Sequence, residues 1–530
     1  MTWGLCICLL LAVFPTQSSR AADLLTVAEK SDYTATARYE DVIAFIDELA
    51  RESAIVRRGV LGRSVEGRDL PLVILADPPV ASAEEAARSG KLVVFAFGDI
   101  HAGEVCGKEA LLMLAREIAR GRADPLLKRL IIVFAPIFNA DGNERMAKDN
   151  RPGQNGPSAG MGQRANAQGL DLNRDYVKLE SPEVRALVRF LNAWDPAVII
   201  DTHTTNGSFH RYAITYAGPR NPAGDAALIA YVRGRMLPTL TRVLASRGGY
   251  ASFFYGFFDR EKTRWETYPA LPRYGTPYRG LRNRIGILSE AYAYAPYRVR
   301  ILATKAFVRS CLEYAASHGN EIQQVLKEAD RRTIAAGARP DGKDLVGIRS
   351  EARAFEQPVS IEGWVEREDE DGHRSATKEP KRYAVQHVGR FAATKSVARP
   401  YGYLIPGDHP DVIDKLRQHG IRVARLKEAA DLRVEAYRVE RIERAERLFQ
   451  KHRLVTVTAA RHAETRRVPA GTAVVLTAQR LGTLAVYLLE PEADDGLTTW
   501  NFFDRGLAAG SEFPVLRLPT RQRLVLRPLE

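Results

Sequence analysis

Two histidines and one glutamate stand where the chain leaves continuous runs of apolar residues. His101 and Glu104 lie three apart in the bend after "KLVVFAFGDI", and His203 closes "PAVIIDTH". Two imidazoles and one carboxylate, with a fourth position open to water, are the donor set of a catalytic zinc site. A zinc ion there lowers the pKa of its water toward about 7 and gives a hydroxide-like nucleophile at neutral pH. Spacing alone does not select such a pair. His318 and Glu321, in "HGNE", have the same separation but fall in a charged helical pattern that reads as protein surface. His101, Glu104 and His203 differ in standing at the carboxyl ends of buried strands, where an open α/β sheet presents side chains to its ligand crevice.

The elements that must position these residues follow from the apolar pattern. "RYEDVIAFIDELARES" has helical spacing and "VLGRSVEGRDLPLVILADP" reads as a hairpin. "LVVFAFG", "RLIIVFAPIFN", "PAVIIDTH" and "GILSEAYAY" lack strict alternation, which implies strands buried on both faces. A helix is expected from about Gly107 to Arg120, and one or two more over "YRVRILATKAFVRSCLEYAASHGNEIQQVLKEADRRTI". The expected fold class is α/β: a mixed β-sheet flanked by helices. The Gly-, Pro- and charge-rich stretch 335–344 marks a boundary. Beyond it, short strand-like pieces ("VSIEGWVERE", "RLVTVTAARH", "TAVVLTAQ", "LAVYLLEP") and a helix-like "HPDVIDKLRQHG" suggest a smaller β-rich or α+β C-terminal domain. The run "EREDEDGHRSATKEPKR" reads as a solvated hairpin or loop.

A chain of 530 residues exceeds one ordinary hydrophobic core, so more than one domain is expected. The net charge of +13 comes from arginines scattered along the chain, not from a basic block, and nothing resembles a nucleic-acid-binding motif. "LCICLLLAVF" is too short to span a bilayer, and the small residues Ala21 and Ala22 follow it. Residues 1–22 therefore read as a signal peptide, implying a secreted or periplasmic protein with no stable membrane span after cleavage. Cleavage removes Cys6 and Cys8. Cys106 and Cys311 remain, too few for a disulfide framework.

"GDIHAGE", then "GQRANAQGLDLNRDY", "DTH" and "GILSEAYAY", resemble in order and spacing the zinc carboxypeptidases of the carboxypeptidase A type. The resemblance runs from about residue 38 to 330 and includes "GRSVEGRDLPLVIL". The tail, with "RPYGYLIP" and "LLEPEADDGLTTWNFFDRG", is similar to an extra C-terminal domain of some bacterial members. The implied layout is a signal peptide over 1–22, a catalytic domain over 30–330 and a β-rich domain of unknown role over 345–530. The resemblance implies one zinc ion per chain, held by His101, Glu104 and His203. It implies that Glu290 is the general base on the metal's water and passes the proton to the leaving amine, the use expected of a carboxylate beside a dication. Arg164 matches the arginine that polarises the scissile carbonyl. Asn173 and Arg174 match the pair that grips a peptide's free terminal carboxylate, which the planar guanidinium fork suits. The substrate-capping tyrosine is Tyr268, Tyr274 or Tyr278, with Tyr278 taken as the candidate. Asp175 stands where the family usually has Asn, which would alter the charge near the carboxylate pocket.

The expected activity is hydrolysis of a C-terminal peptide bond by an exported metallocarboxypeptidase. A zinc amidohydrolase of cell-wall peptides or small acyl-amino acids keeps the metal chemistry and changes the substrate. A non-catalytic peptide- or glycan-binding module is the reading from another class.

Overall fold

The computed structural model describes residues 24–529 except 122, 123, 206 and 408, so the expected signal peptide lies outside the described residues. The apolar runs become the centre of an eight-stranded sheet. Its strands are β1 (Val56–Arg63), β2 (Asp69–Leu75), β3 (Leu92–Gly98), β4 (Leu130–Ala135), β5 (Val198–Thr205), β6 (Ile214–Ala217) and β7 (Ser252–Phe254). After the short β8 (Phe257–Phe258) and β9 (Arg264–Glu266), β10 (Ile285–Tyr292) completes it. The order is β1-β2-β4-β3-β5-β10-β6-β7: β4, β3, β5 and β10 are parallel, β2 and β6 flank them antiparallel, β1 is antiparallel to β2 and β7 is parallel to β6. Every residue of β3 and β4 is buried, as expected for strands covered on both faces.

The helix Cys106–Arg120 lies across this centre. Any side chain at Gly107 would collide with the side chain of Thr202 on β5, so glycine is what lets the helix approach so closely. Thr202 Oγ1 in turn donates to the Phe97 carbonyl at 2.9 Å and ties β5 to β3 just before His203. The expected long helical stretch is two helices, Tyr297–Ser317 and Gly319–Ala338, with His318 at the joint.

The remaining strands are β11 (Leu345–Ala354), β12 (Val359–Glu368), β13 (Arg374–Ala398), β14 (Gly402–Ile405), β15 (Ala424–Leu426), β16 (Ala430–Arg444), β17 (Val455–Val468), β18 (Ala473–Leu476), β19 (Leu516–Leu518) and β20 (Leu526–Pro528). Strands β14 to β20 form a seven-stranded sheet. Strands β11 to β13 join β8 and β9 in a second sheet, so strands from before and after residue 340 pair directly. The charged run 366–382 spans the tip of the β12–β13 hairpin. One hydrophobic cluster extends from Ala28 to Val515, across both parts of the chain.

One expected strand is a helix. The first six residues of "LAVYLLEP" lie in the helix Gly482–Leu489, all eight residues of which are buried. A short continuous apolar run is compatible with either element, and burial on all sides removes the periodicity that would separate them. Cys106 and Cys311 are both buried and unpaired. No described helix is long and apolar enough to cross a membrane.

Candidate metal and peptide-binding site

Sheet register assembles half of the site. Glu290 on β10 is the direct parallel partner of His203 on β5, so the two side chains share a face. Asp201, two residues before His203, faces the same way. The bend after β3 brings His101 and Glu104 to that face, closed by a hydrogen bond from Glu104 N to the His101 carbonyl at 2.8 Å.

Ligand atoms of His101, Glu104 and His203 lie within 4.8 Å of one another, and all three side chains are buried. The two Glu104 oxygens split between the rings: Oε1 is 3.0 Å from His101 Nδ1 and Oε2 is 2.9 Å from His203 Nδ1. Each far ring nitrogen meets an aspartate. His101 Nε2 bonds Asp171 Oδ1 at 2.9 Å, and His203 Nε2 lies 2.9 Å from Asp201 Oδ1 in an alignment short of hydrogen-bond geometry. A carboxylate thus stands behind each ring at Nε2, while Nδ1 of each ring faces Glu104. That is the arrangement of imidazoles prepared for a metal. Neutral nitrogens and one carboxylate fit zinc, with the remaining position open to the cavity.

The electrostatics agree. Burial opposes charge on His203, yet Asp201 and Glu104 hold its pKa well above the ordinary value. A proton and a divalent cation are alternatives at such a ring. Burial likewise opposes charge on Asp171, but His101, Arg174 and Arg164 keep it far below the usual carboxylate range. Burial pushes Glu290 up to about 8, with Glu104 adding to the rise and His203, Arg151 and Arg164 pulling against it.

The other half of the site comes from loops. Arg164 hydrogen-bonds Asp171 Oδ2 through Nε at 2.9 Å, and its Nη2 lies 2.8 Å from the same oxygen. Asn173 Oδ1 accepts from Gly275 N at 3.0 Å, which leaves the amide NH2 as the end open to a ligand. The Arg174 guanidinium lies 4.3 Å from the centre of the Tyr274 ring. These groups, with Glu290 and the metal-type triad, line one cavity of about 190 Å³.

Tyr278 is not among them. Its side chain is fully buried, and its hydroxyl donates at 2.8 Å to Nδ1 of His419, whose Nε2 donates to the Val177 carbonyl. A tyrosine locked in the core cannot cap a substrate, whereas Tyr268 and Tyr274 both line the cavity. The charge expected of Asp175 does not reach the cavity either. Its oxygens accept from Lys178, Glu180 N and Ser181 in a buried cluster. His318 and Glu321, the spacing decoy, go separate ways. His318 stacks on Tyr314 with ring centres 4.1 Å apart, and Glu321 pairs with Arg235.

Five contributors have no place in the motif reading. Asp171 and Asp201 each stand two residues before an expected site residue, so strand and turn spacing could have flagged them. Arg151, whose Nη2 is 3.0 Å from Glu104 Oε1, and Tyr255 carry no local signal. Gln450 comes from the tail: its Oε1 accepts from Asp171 N at 2.8 Å. It sits in a tight hairpin turn where Gln450 (φ 51°) and Lys451 (φ 68°) are both left-handed, a strained backbone for side-chain-bearing residues.

Residues 42–228 match the zinc carboxypeptidase family, and this match supports a metallocarboxypeptidase enzyme. Among characterised proteins, the chain is 23% identical to Carboxypeptidase 2 of Trichophyton equinum over 519 residues, covering 91% of this chain and 86% of that protein. It is 36% identical to Carboxypeptidase D of Mus musculus over 156 residues, covering 25% of this chain and 11% of that protein. Among solved structures, a metallo-carboxypeptidase from Pseudomonas aeruginosa in complex with (2-guanidinoethylmercapto)succinic acid is similar at TM-score 0.38 and 19% identity, over 54% of this chain and 69% of that one. Carboxypeptidase A from Helicoverpa armigera is similar at TM-score 0.39 and 15% identity, over 54% of this chain and 74% of that one.

Proposed function

We propose that the protein is an exported carboxypeptidase that removes the last residue of a peptide with a free carboxyl end, using one zinc ion held by His101, Glu104 and His203. The observation that carries this reading is the convergence of the triad, Glu290, Arg164, Asn173 and Arg174 on one cavity from four separate stretches of chain. Glu290 lies beyond the matched residues 42–228 and reaches the site only through its register with His203.

When bound, the metal supplies Lewis acidity, polarising a carbonyl oxygen and acidifying water. The chain's own groups do the rest. Asn173 and Arg174 hold the terminal carboxylate, which fixes the scissile bond over the triad. Glu290 takes a proton from the attacking water as the new C–O bond forms. Arg164 donates to the oxyanion that develops on the former carbonyl oxygen. Glu290 then gives the proton to the departing amine nitrogen as the C–N bond breaks. In this reading residues 30–330 are the catalytic unit, and residues 345–530 are a domain that supports its substrate loop from behind.

The test is metal analysis paired with turnover. The purified protein should carry one zinc per chain and release the terminal amino acid, and His101→Ala should lose both. Full hydrolysis by a zinc-free His101→Ala protein would overturn the proposal.

A further inference from the structure

Behind the tyrosine wall of the catalytic cavity lies a second, larger one of about 350 Å³, between the end of β6 and strand β13. Its lining includes three arginines (Arg220, Arg233 and Arg390), one histidine (His387) and no carboxylate. Most arginines at such depth are paired, as Arg279 is with Asp201 and Arg273 with Asp495. Arg220 is 9% exposed, and its Nε and Nη1 are buried without an acceptor among the described residues. Arg233 is held between Phe254 and Phe355, at 4.3 and 3.9 Å from their ring centres, and has no ion-pair partner among the described residues. Burial and the neighbouring Arg220 pull the Arg233 pKa down to about 10, so it stays charged at neutral pH. Burial and Arg233 hold His387 down to about 4, which makes it a neutral neighbour. Two desolvated cations beside each other are costly unless an anion completes them.

The cavity adjoins the catalytic one. Tyr255 lines both, and the Arg220 guanidinium lies 3.7 Å from the centre of the Tyr268 ring, which lines the catalytic side. We propose that this second cavity binds an oxyanion, and that the oxyanion is a side-chain carboxylate of the substrate peptide, so that Arg220 and Arg233 make the enzyme prefer acidic peptides. The substrate assignment rests on the carboxypeptidase reading above; the oxyanion site does not. The aromatic faces of Phe254 and Phe391 would cover the methylenes of such a side chain, and the guanidinium forks would meet its carboxylate.

The experiment scans a peptide library in which one Glu is moved position by position against a Gln counterpart, with wild type, Arg233→Gln and Arg233→Lys. Wild type should cleave the Glu peptide about tenfold better at one position, the gain expected of a charge-assisted hydrogen bond. Arg233→Gln should lose that preference while cleaving the Gln peptides as wild type does, and Arg233→Lys should recover part of it. A loss on Gln and Glu peptides alike would mean that Arg233 only braces the fold, and would overturn the proposal. Calorimetry of the zinc-loaded protein with glutarate and with inorganic phosphate tests the cavity without turnover. Binding that Arg233→Gln abolishes, with no Glu preference at any position, would make the ligand a free anion and overturn the substrate assignment. No Arg233-dependent binding in either arm would overturn the site itself. If no peptide is hydrolysed at all, the carboxypeptidase reading has failed, and the calorimetric arm still judges the cavity.

Discussion

The catalytic cavity has two halves that differ in how the fold secures them. His101, Glu104, His203 and Glu290 stand on or directly after strands of one sheet, fixed by the register of β3, β5 and β10. Arg151, Arg164, Asp171, Asn173 and Arg174 stand on the long connection between β4 and the helix Pro182–Trp194, where no ladder sets their positions. The tail takes the place of a ladder. Gln450 bonds Asp171 N, and His452 Nε2 bonds Glu180 Oε1 at 2.8 Å. Asp495 holds Arg273 N at 2.6 Å and Nε at 2.8 Å, beside the Tyr274–Gly275 segment that meets Arg174 and Asn173. The groups proposed to hold a metal are thus placed by the sheet, and those proposed to hold a substrate are placed with the help of a separate stretch of chain.

The sharpest way to break the comparison is at Glu290, the sheet-borne residue with no ligand role. Glu290→Gln should lower kcat by about a hundredfold or more while the zinc content stays at that of wild type, since general-base removal costs on that scale. Metal analysis and steady-state kinetics on the same preparation check this. Next in size, Asp201→Asn should weaken zinc affinity about ten- to hundredfold, the usual effect of disturbing the group behind a ligating histidine. Competition with a chelator measures it. On the loop side, Gln450→Ala removes one hydrogen bond from the backbone of Asp171, about 1 kcal/mol, so kcat/KM should fall roughly fivefold. Zinc affinity should change less than in Asp201→Asn, because the Asp171 carboxylate stays behind His101. If Gln450→Ala instead released zinc, the two halves would not be separable.

The smallest effect is on stability and depends on pH. Glu180 carries a folded-state pKa lowered to about 2: burial opposes the charge, but His452 and Lys178 outweigh it. Its contribution is present above its ordinary value of 4.5 and is lost as pH falls through about 2. The Glu180 hydrogen bond raises the pKa of His452, so that contribution is present below 6.5 and is lost as pH rises through the raised value. The Tm difference between wild type and His452→Gln should therefore be widest between 4.5 and 6.5 and shrink on either side. A difference that does not vary with pH would remove the bridge from the tail's support.

The same division governs what the sequence disclosed. Continuous apolar runs ended by His101, His203 and Glu290 announce strands and what stands at their ends, because burial on both faces and position along a strand are local facts. The loop half was legible only by likeness to a family. The choice of Tyr278 fell there, since helical placement turned that ring into the core against His419. The strand expected at "LAVYLLEP" failed because full burial erases periodicity, and Gln450 was invisible because its contact spans 279 residues.

The most direct test is the mass of products released by the zinc-loaded protein from a defined peptide library, each sequence supplied with a free and with an amidated carboxyl end. The account predicts loss of single residues from the free-ended peptides and no cleavage of the amidated ones. Equal cleavage of both forms, or cuts within the chain, would contradict it.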